Sequence, residues 1–132
     1  MNRRKSRETA FFILFEKIFN SSRIDDIIET ARLVRDIEVD DFTLKIVNGV
    51  LNNIESIDQK ISGHSKNWKK DRISKVSLVL LRIAIFEMKF SSDNVPVSVA
   101  INEAVELSKK YSTEEDTSFI NGVLGGVARE NE

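Results

Sequence analysis

No cysteine occurs among the 132 residues. That excludes disulfides, thiolate metal sites and thiol catalysis, and it suits a reducing compartment. Histidine is nearly absent too. A zinc site at the single His64 would need a carboxylate for every other ligand, an uncommon donor set, so His64 reads as a loop residue. The five glycines, at 49, 63, 122, 125 and 126, match neither nucleotide-binding fingerprint. Gly125-Gly126 is expected to loosen or end a helix. No apolar run reaches the ~18 residues of a membrane span; the longest, VSLVLL at 76–81, runs into Arg82. The basic N-terminus precedes an apolar segment interrupted by Glu16 and Lys17, with no small-residue cleavage site after it. A cytoplasmic protein without a membrane segment or secretory signal is the expectation.

What is present is enough to fold. At 41% hydrophobic and 31% charged residues, the chain can bury a core and solvate its surface, which argues against wholesale disorder. Its length suits one domain, 1–132, or two tightly joined halves. A net charge of −1 hides a segregation of signs. Arg3, Arg4, Lys5 and Arg7 form one cationic cluster, and Lys66, Lys69, Lys70, Arg72 and Lys75 form a second. Between them lie Asp25, Asp26, Glu29, Asp36, Glu38, Asp40 and Asp41. A bland surface mixes its signs more evenly.

The hydrophobic pattern has a helical period almost throughout. Phe11, Leu14, Phe15 and Ile18 make one stripe, and Ile27, Ile28, Ala31 and Val34 another. Ile46, Val50, Ile54, Ile57 and Ile61 predict one longer helix. Val97, Ile101, Ala104, Val105 and Ser108 make the next stripe, and Phe119, Ile120, Val123, Leu124 and Val127 the last. No window alternates strictly enough for a strand. Asn20-Ser21-Ser22 should close the first helix and cap the second; Asp40 should cap the third. Pro96 suits a first helical position, and Thr113 with Asp116 suits the start of the last helix. The expected fold is therefore all-α, with six or seven helices in two small packed bundles. The break near Gly63 and HSKNWKKD places the sub-bundles at roughly 1–65 and 66–132, with an apolar helix over 74–90 at their centre.

The chemistry of the opening stretch is that of a polyanion binder. Arg3, Arg4 and Arg7, at i, i+1 and i+4, share one side of a helix. Each cation that neutralises a phosphate releases counterions, and arginine adds planar, bidentate contacts. Helix stabilisation does not explain them, because cations at an N-terminus oppose the helix dipole. A frayed, soluble tail is the competing account; a membrane-surface helix is a third, weakened because the apolar stripe behind it is needed for the core. Phe11, Phe12 and Phe15 follow directly, most of them core, with an edge position left for stacking on an unpaired base. Glu103 and Glu106 read as solvated surface rather than a general acid/base pair, since nothing apolar nearby would shift them. No catalytic residue, metal or cofactor is assigned.

The stretch VPVSVAINEAVELSKKYSTEEDTSFINGVLGGV at 95–127, the segment LRIAIFEM at 81–88, Asn48-Gly49-Val50 and the Arg-rich opening RRKSRETAFFILF together resemble the NusB family of bacterial transcription antitermination factors, over essentially the whole chain. The resemblance implies a fold of two small helical bundles. It also implies binding of the single-stranded boxA element of nascent ribosomal RNA transcripts, with the small-subunit ribosomal protein NusE as partner, in an antitermination complex on RNA polymerase. Carried over by position, Arg3, Arg4, Lys5 and Arg7 fall at the family's RNA-binding arginines. Phe15 falls at an aromatic position near RNA, usually Tyr, and Glu115, Asp116 and Phe119 fall in a loop and helix start beside RNA. Phe12 stands where the family commonly has Gln, so the amide of that position is missing, and Phe15 lacks the Tyr hydroxyl. Ser77 stands where some members have Glu and is not assigned. Asn102 and Asn121 look like signature residues with a structural role, tying helices together inside the fold.

Two rival functions remain at this point. One is a protein-interaction module or homodimer with weak intrinsic RNA affinity, whose acidic stretch 25–41 docks a basic ribosomal protein. The other is the RNA-methyltransferase branch, in which a similar domain is an N-terminal appendage; ending at Glu132 argues against it. An enzyme is not expected.

Overall fold

The computed structural model describes residues 1–65 and 72–130. Among them are seven α-helices and no strand. They are α1 (Arg3–Phe19), α2 (Ile24–Leu33), α3 (Asp41–Asn52), α4 (Ile54–Gly63), α5 (Lys75–Ile85), α6 (Val97–Tyr111) and α7 (Glu114–Ala128). A π-helical turn, Phe86–Phe90, extends α5. The all-α expectation holds. The chain divides into two compact units, Met1–Asn48 and Gly49–Glu132. The break expected around HSKNWKKD falls largely outside the described residues.

In the first unit α1 packs on α2 through Ala10, Phe11, Leu14, Ile27, Ile28 and Ala31, all buried. The α2 start departs from expectation. Asn20 ends α1, but the residue before α2 is Arg23, without a side-chain cap. Asp25 and Asp26 in the first turn supply the favourable charge instead. Asp40 caps α3 as expected, its Oδ1 accepting from the Thr43 amide at 2.8 Å. Its Oδ2 accepts from the Ser6 hydroxyl at 2.7 Å, so the cap also fastens α3 to the first turns of α1.

In the second unit α5 lies against α4, α6 and α7. Leu78 through Leu81 and Ile83 through Ile85 are all buried, as a helix apolar on every side must be. The single helix expected over 46–61 is two. At Asn53 the backbone leaves helical geometry, and its Nδ2 donates to the Gly49 carbonyl at 2.7 Å. A short amide side chain competing for backbone acceptors is the usual reason asparagine interrupts a helix. α4 resumes in phase, which is why Ile57 and Ile61 are buried along with Ile46 and Val50.

Two glycines carry close approaches. A Cβ on Gly49 would lie 2.1 Å from Cε1 of Phe86, a ring that is itself buried. Gly→Ala inside a helix ordinarily stabilises by up to ~1 kcal/mol, whereas overpacking costs ~1–3 kcal/mol. Gly49→Ala is therefore expected to destabilise by about 1–2 kcal/mol net in a urea titration; a stabilised variant would contradict this packing. Gly126 does not end α7, which runs through it to Ala128. It leaves room for His64, whose Nδ1 would be 2.5 Å from an added Cβ. His64 closes α4 and reaches the Glu130 carboxylate at 2.8 Å, while Lys60 reaches its other oxygen at 2.7 Å. Hydrogen bonds from Lys60 and His64 hold the Glu130 carboxyl below its usual range.

Pro96 sits one residue earlier than expected, as the residue before α6. Thr113 caps α7, accepting from the Asp116 amide at 3.0 Å. Asn102 and Asn121 are exposed, so they do not tie the core together.

Candidate nucleic-acid interface

The first turn of α1 holds three cations and no acid. Asn2 caps it, Oδ1 accepting from the Lys5 amide at 2.8 Å, which offsets part of the unfavourable placement of charge at a helix N-terminus. Arg3, Arg4 and Lys5 are exposed. Lys5 reaches Glu8 at 3.2 Å across one turn, a pairing worth little at such exposure.

Arg7 differs from its neighbours. It retains 6% of its exposure, and its guanidinium carbon lies 5.3 Å from the centroid of the Phe42 ring. Arg3 lies over the same ring at 3.8 Å. Helical spacing does place Arg3 and Arg7 on one side, but that side faces the first turn of α3, so only Arg3 keeps its donors at the surface. Sequence reasoning missed Phe42. The one signal was an aromatic two residues after the capping Asp40, and nothing local linked it to residue 3 or 7.

The phenylalanines split. Phe11 is buried, Phe15 is half-buried, and Phe12 and Phe19 are exposed at 41% and 67%. Their rings pair along the helix: Phe11 with Phe15 at 5.8 Å, and Phe15 with Phe19 edge-on at 5.2 Å. Phe15 therefore combines a packed edge with an accessible one.

In the second unit Glu115 is exposed and Phe119 half-buried. Asp116 is engaged elsewhere: its Oδ2 accepts from Ser74 Oγ at 2.9 Å and from Ser112 Oγ. That carboxylate joins the start of α5, the end of α6 and the start of α7. Ser77 is buried, its hydroxyl oxygen 2.9 Å from that of the capping Ser74. Where α6 turns into α7, Lys109, Ser112, Thr113, Glu114, Thr117 and Ser118 line an open polar depression of about 500 Å3. Of the second basic cluster, Arg72 and Lys75 are exposed; Lys66, Lys69 and Lys70 lie outside the described residues. Among the described residues no group of His, Cys, Asp or Glu is arranged to hold a metal, and no helix is long and apolar enough to cross a membrane.

The family model of the NusB family matches residues 4–129. The transcription antitermination protein NusB of Clostridium botulinum (strain Kyoto / Type A2) is 45% identical over 141 residues, covering 95% of this chain and 98% of that protein. Among solved structures, NusB of T. maritima superposes with a TM-score of 0.84 at 29% identity, over 98% of this chain and 92% of that one. A crystal structure of the antitermination factors NusB and NusE in complex with dsRNA superposes with a TM-score of 0.82 at 26% identity, covering 96% of each chain. With a family model spanning nearly all of its length and a curated relative at this identity over 95% of it, the chain belongs to the NusB family.

Proposed function

We propose that this antitermination factor binds the single-stranded boxA element of nascent ribosomal RNA together with NusE, within an antitermination complex on RNA polymerase. It acts in the cytoplasm by binding alone and catalyses no reaction. The observation that carries the reading is the exposed, acid-free first turn of α1, where Arg3, Arg4 and Lys5 stand at the surface. Its mechanism is additive. Arg3, Arg4 and Lys5 take the phosphate backbone and set its register. Arg7 supplies positive potential from beneath, and the open edge of Phe15 meets an unpaired base. In the second unit Glu115 and Phe119 are assigned to base contact, while Asp116 serves there by holding the α7 start in place. NusE adds RNA surface of its own, so the pair binds more tightly than either protein.

Arg7→Glu would bury an acid and confuse binding with folding, so the test uses the exposed positions. Arg3→Ala/Arg4→Ala should leave helical content unchanged. Binding to a boxA RNA should weaken about tenfold at ~0.1 M salt. The slope of log K against log salt should fall by ~1.4, or ~0.7 for each phosphate of a single strand that is no longer neutralised. An unchanged slope would remove these residues from the interface. A double-stranded arm belongs in the same titration, because the NusB–NusE complex that this chain resembles holds dsRNA.

A second reading is favoured by one observation. Leu33 and Val34, at the end of α2, are 75% and 77% exposed, beside the acidic residues of that helix. A protein-interaction module or homodimer with weak intrinsic RNA affinity would use such a surface. Sedimentation of the free protein, and RNA titrations with and without NusE, separate the two.

A further inference from the structure

One aromatic ring meets two arginines of α1. Arg3 lies 3.8 Å and Arg7 5.3 Å from the centroid of Phe42, both within cation–π range. Arg7 is buried and Arg3 exposed. The ring is half-buried, so part of it remains at the surface under Arg3. The backbone on either side of this contact is pinned. Ser6, between the two arginines, donates to Asp40 at 2.7 Å. Thr43, next to Phe42, has its amide on Asp40 at 2.8 Å and its hydroxyl 3.2 Å from the Ser6 carbonyl. Ring and helix start are thus held together by bonds that involve neither arginine.

We infer that Phe42 is a positioning residue for RNA binding, holding the Arg3 guanidinium in place to receive a phosphodiester; this rests on the RNA-binding reading above. An arginine at an exposed helix start has many rotamers, and fixing one at the moment of binding weakens affinity. A contact to the face of the guanidinium fixes it beforehand and uses none of its five N–H donors, which stay available for the two oxygens of a phosphate. Leucine at position 42 would fill the space but offer no π face.

The test is a double-mutant cycle read with a boxA single-stranded RNA oligonucleotide. Phe42→Leu should weaken binding about threefold, no more than Arg3→Ala itself, and Phe42→Tyr should stay close to the parent. In the Arg3→Ala background Phe42→Leu should change affinity no further. NMR of the free protein supplies a readout independent of RNA: the Arg3 side-chain signals should carry a ring-current shift that Phe42→Leu abolishes and Phe42→Tyr keeps. An unchanged affinity in Phe42→Leu, or an equal loss with and without Arg3, would overturn the inference while leaving RNA binding itself intact. If Phe42→Leu fails to fold, an Arg3 ring-current shift missing from the parent and from Phe42→Tyr would overturn it equally. Failure of the parent protein to bind RNA would instead remove the functional reading, and this inference with it.

Discussion

Asp58→Ala is expected to destabilise the Gly49–Glu132 unit by about 3 kcal/mol. Arg82 stands in the last turn of the apolar α5 with 12% of its side chain exposed. Its Nε and Nη2 each donate to a separate oxygen of Asp58, both at 2.9 Å. This two-pronged geometry satisfies both groups at once. Removing one partner of a buried pair costs ~3–5 kcal/mol, because it strands the other charge away from water. Arg82 cannot escape by losing its proton, and its slight exposure places the cost at the low end of that range. Replacing both partners is different: Asp58→Leu/Arg82→Leu exchanges the pair for apolar packing and is expected to recover most of the loss. Urea unfolding of the single and double variants checks both statements. A single variant as stable as the parent would mean that water already reaches the guanidinium.

That ion pair also marks how far the sequence could be read. Arg82 was visible as a charge interrupting VSLVLL and IAIF, but Asp58 lies 24 residues away on another helix, and no local rule joins the two. The same holds for Ser74 and Asp116, 42 residues apart, and for Ser6 and Asp40, 34 apart. Periodicity reports which residues are buried on one helix, because that depends only on spacing. Hence most of the α7 stripe was legible, and Ile120, Val123, Leu124 and Val127 are buried; the α6 stripe was read only in part, since that helix buries Ala100, Ala104, Leu107 and Ser108 while Val97 is exposed. It is blind to a break that preserves phase, and so it read α3 and α4 as one helix. It also fixes which residues share a side without saying what that side faces, and Arg7 shows the consequence. Its register with Arg3 was right, yet the shared side meets Phe42, and one of the two arginines is buried.

The cationic cluster is therefore less a row of equivalent side chains than three exposed ones, Arg3, Arg4 and Lys5, beside a buried Arg7. In the first unit the polar bonds beneath that set come from Ser6, Asp40 and Thr43, none of them basic. Family resemblance singled out the arginines because their residue types are distinctive; it was silent on these supports, whose roles depend on where they bond. Phe12 makes the same point from the other direction. It stands where the family commonly has Gln and remains 41% exposed, so an apolar ring stands at the surface in place of an amide.

Asp40→Ala should cost about 2–4 kcal/mol, and the loss should depend on pH. Part of it is the missing cap of α3, worth ~0.5–2 kcal/mol. The rest comes from the Ser6 and Thr43 hydroxyls, 1% and 0% exposed. Without the carboxylate each keeps only a longer bond to a backbone carbonyl, that of Asn2 at 3.1 Å and of Ser6 at 3.2 Å. Each missing bond costs ~0.5–1.5 kcal/mol. Burial alone would raise the Asp40 carboxyl, but hydrogen bonds from Ser6 and from the Thr43 amide and hydroxyl outweigh it, and the carboxyl titrates below its ordinary value of 3.8. The sign follows from linkage. A carboxyl depressed in the folded state stabilises the fold fully above its unfolded value, and that contribution fades as pH falls through the folded one. Asp40→Asn keeps an acceptor for the Thr43 amide but carries no charge, so its deficit against the parent should be constant near neutrality and shrink below about pH 4. Denaturant titrations of parent, Asn and Ala variants across that range separate the charge from the cap. A deficit of Asp40→Asn that stays flat into acid would show that the hydrogen bonds to Asp40 do not favour its ionised form.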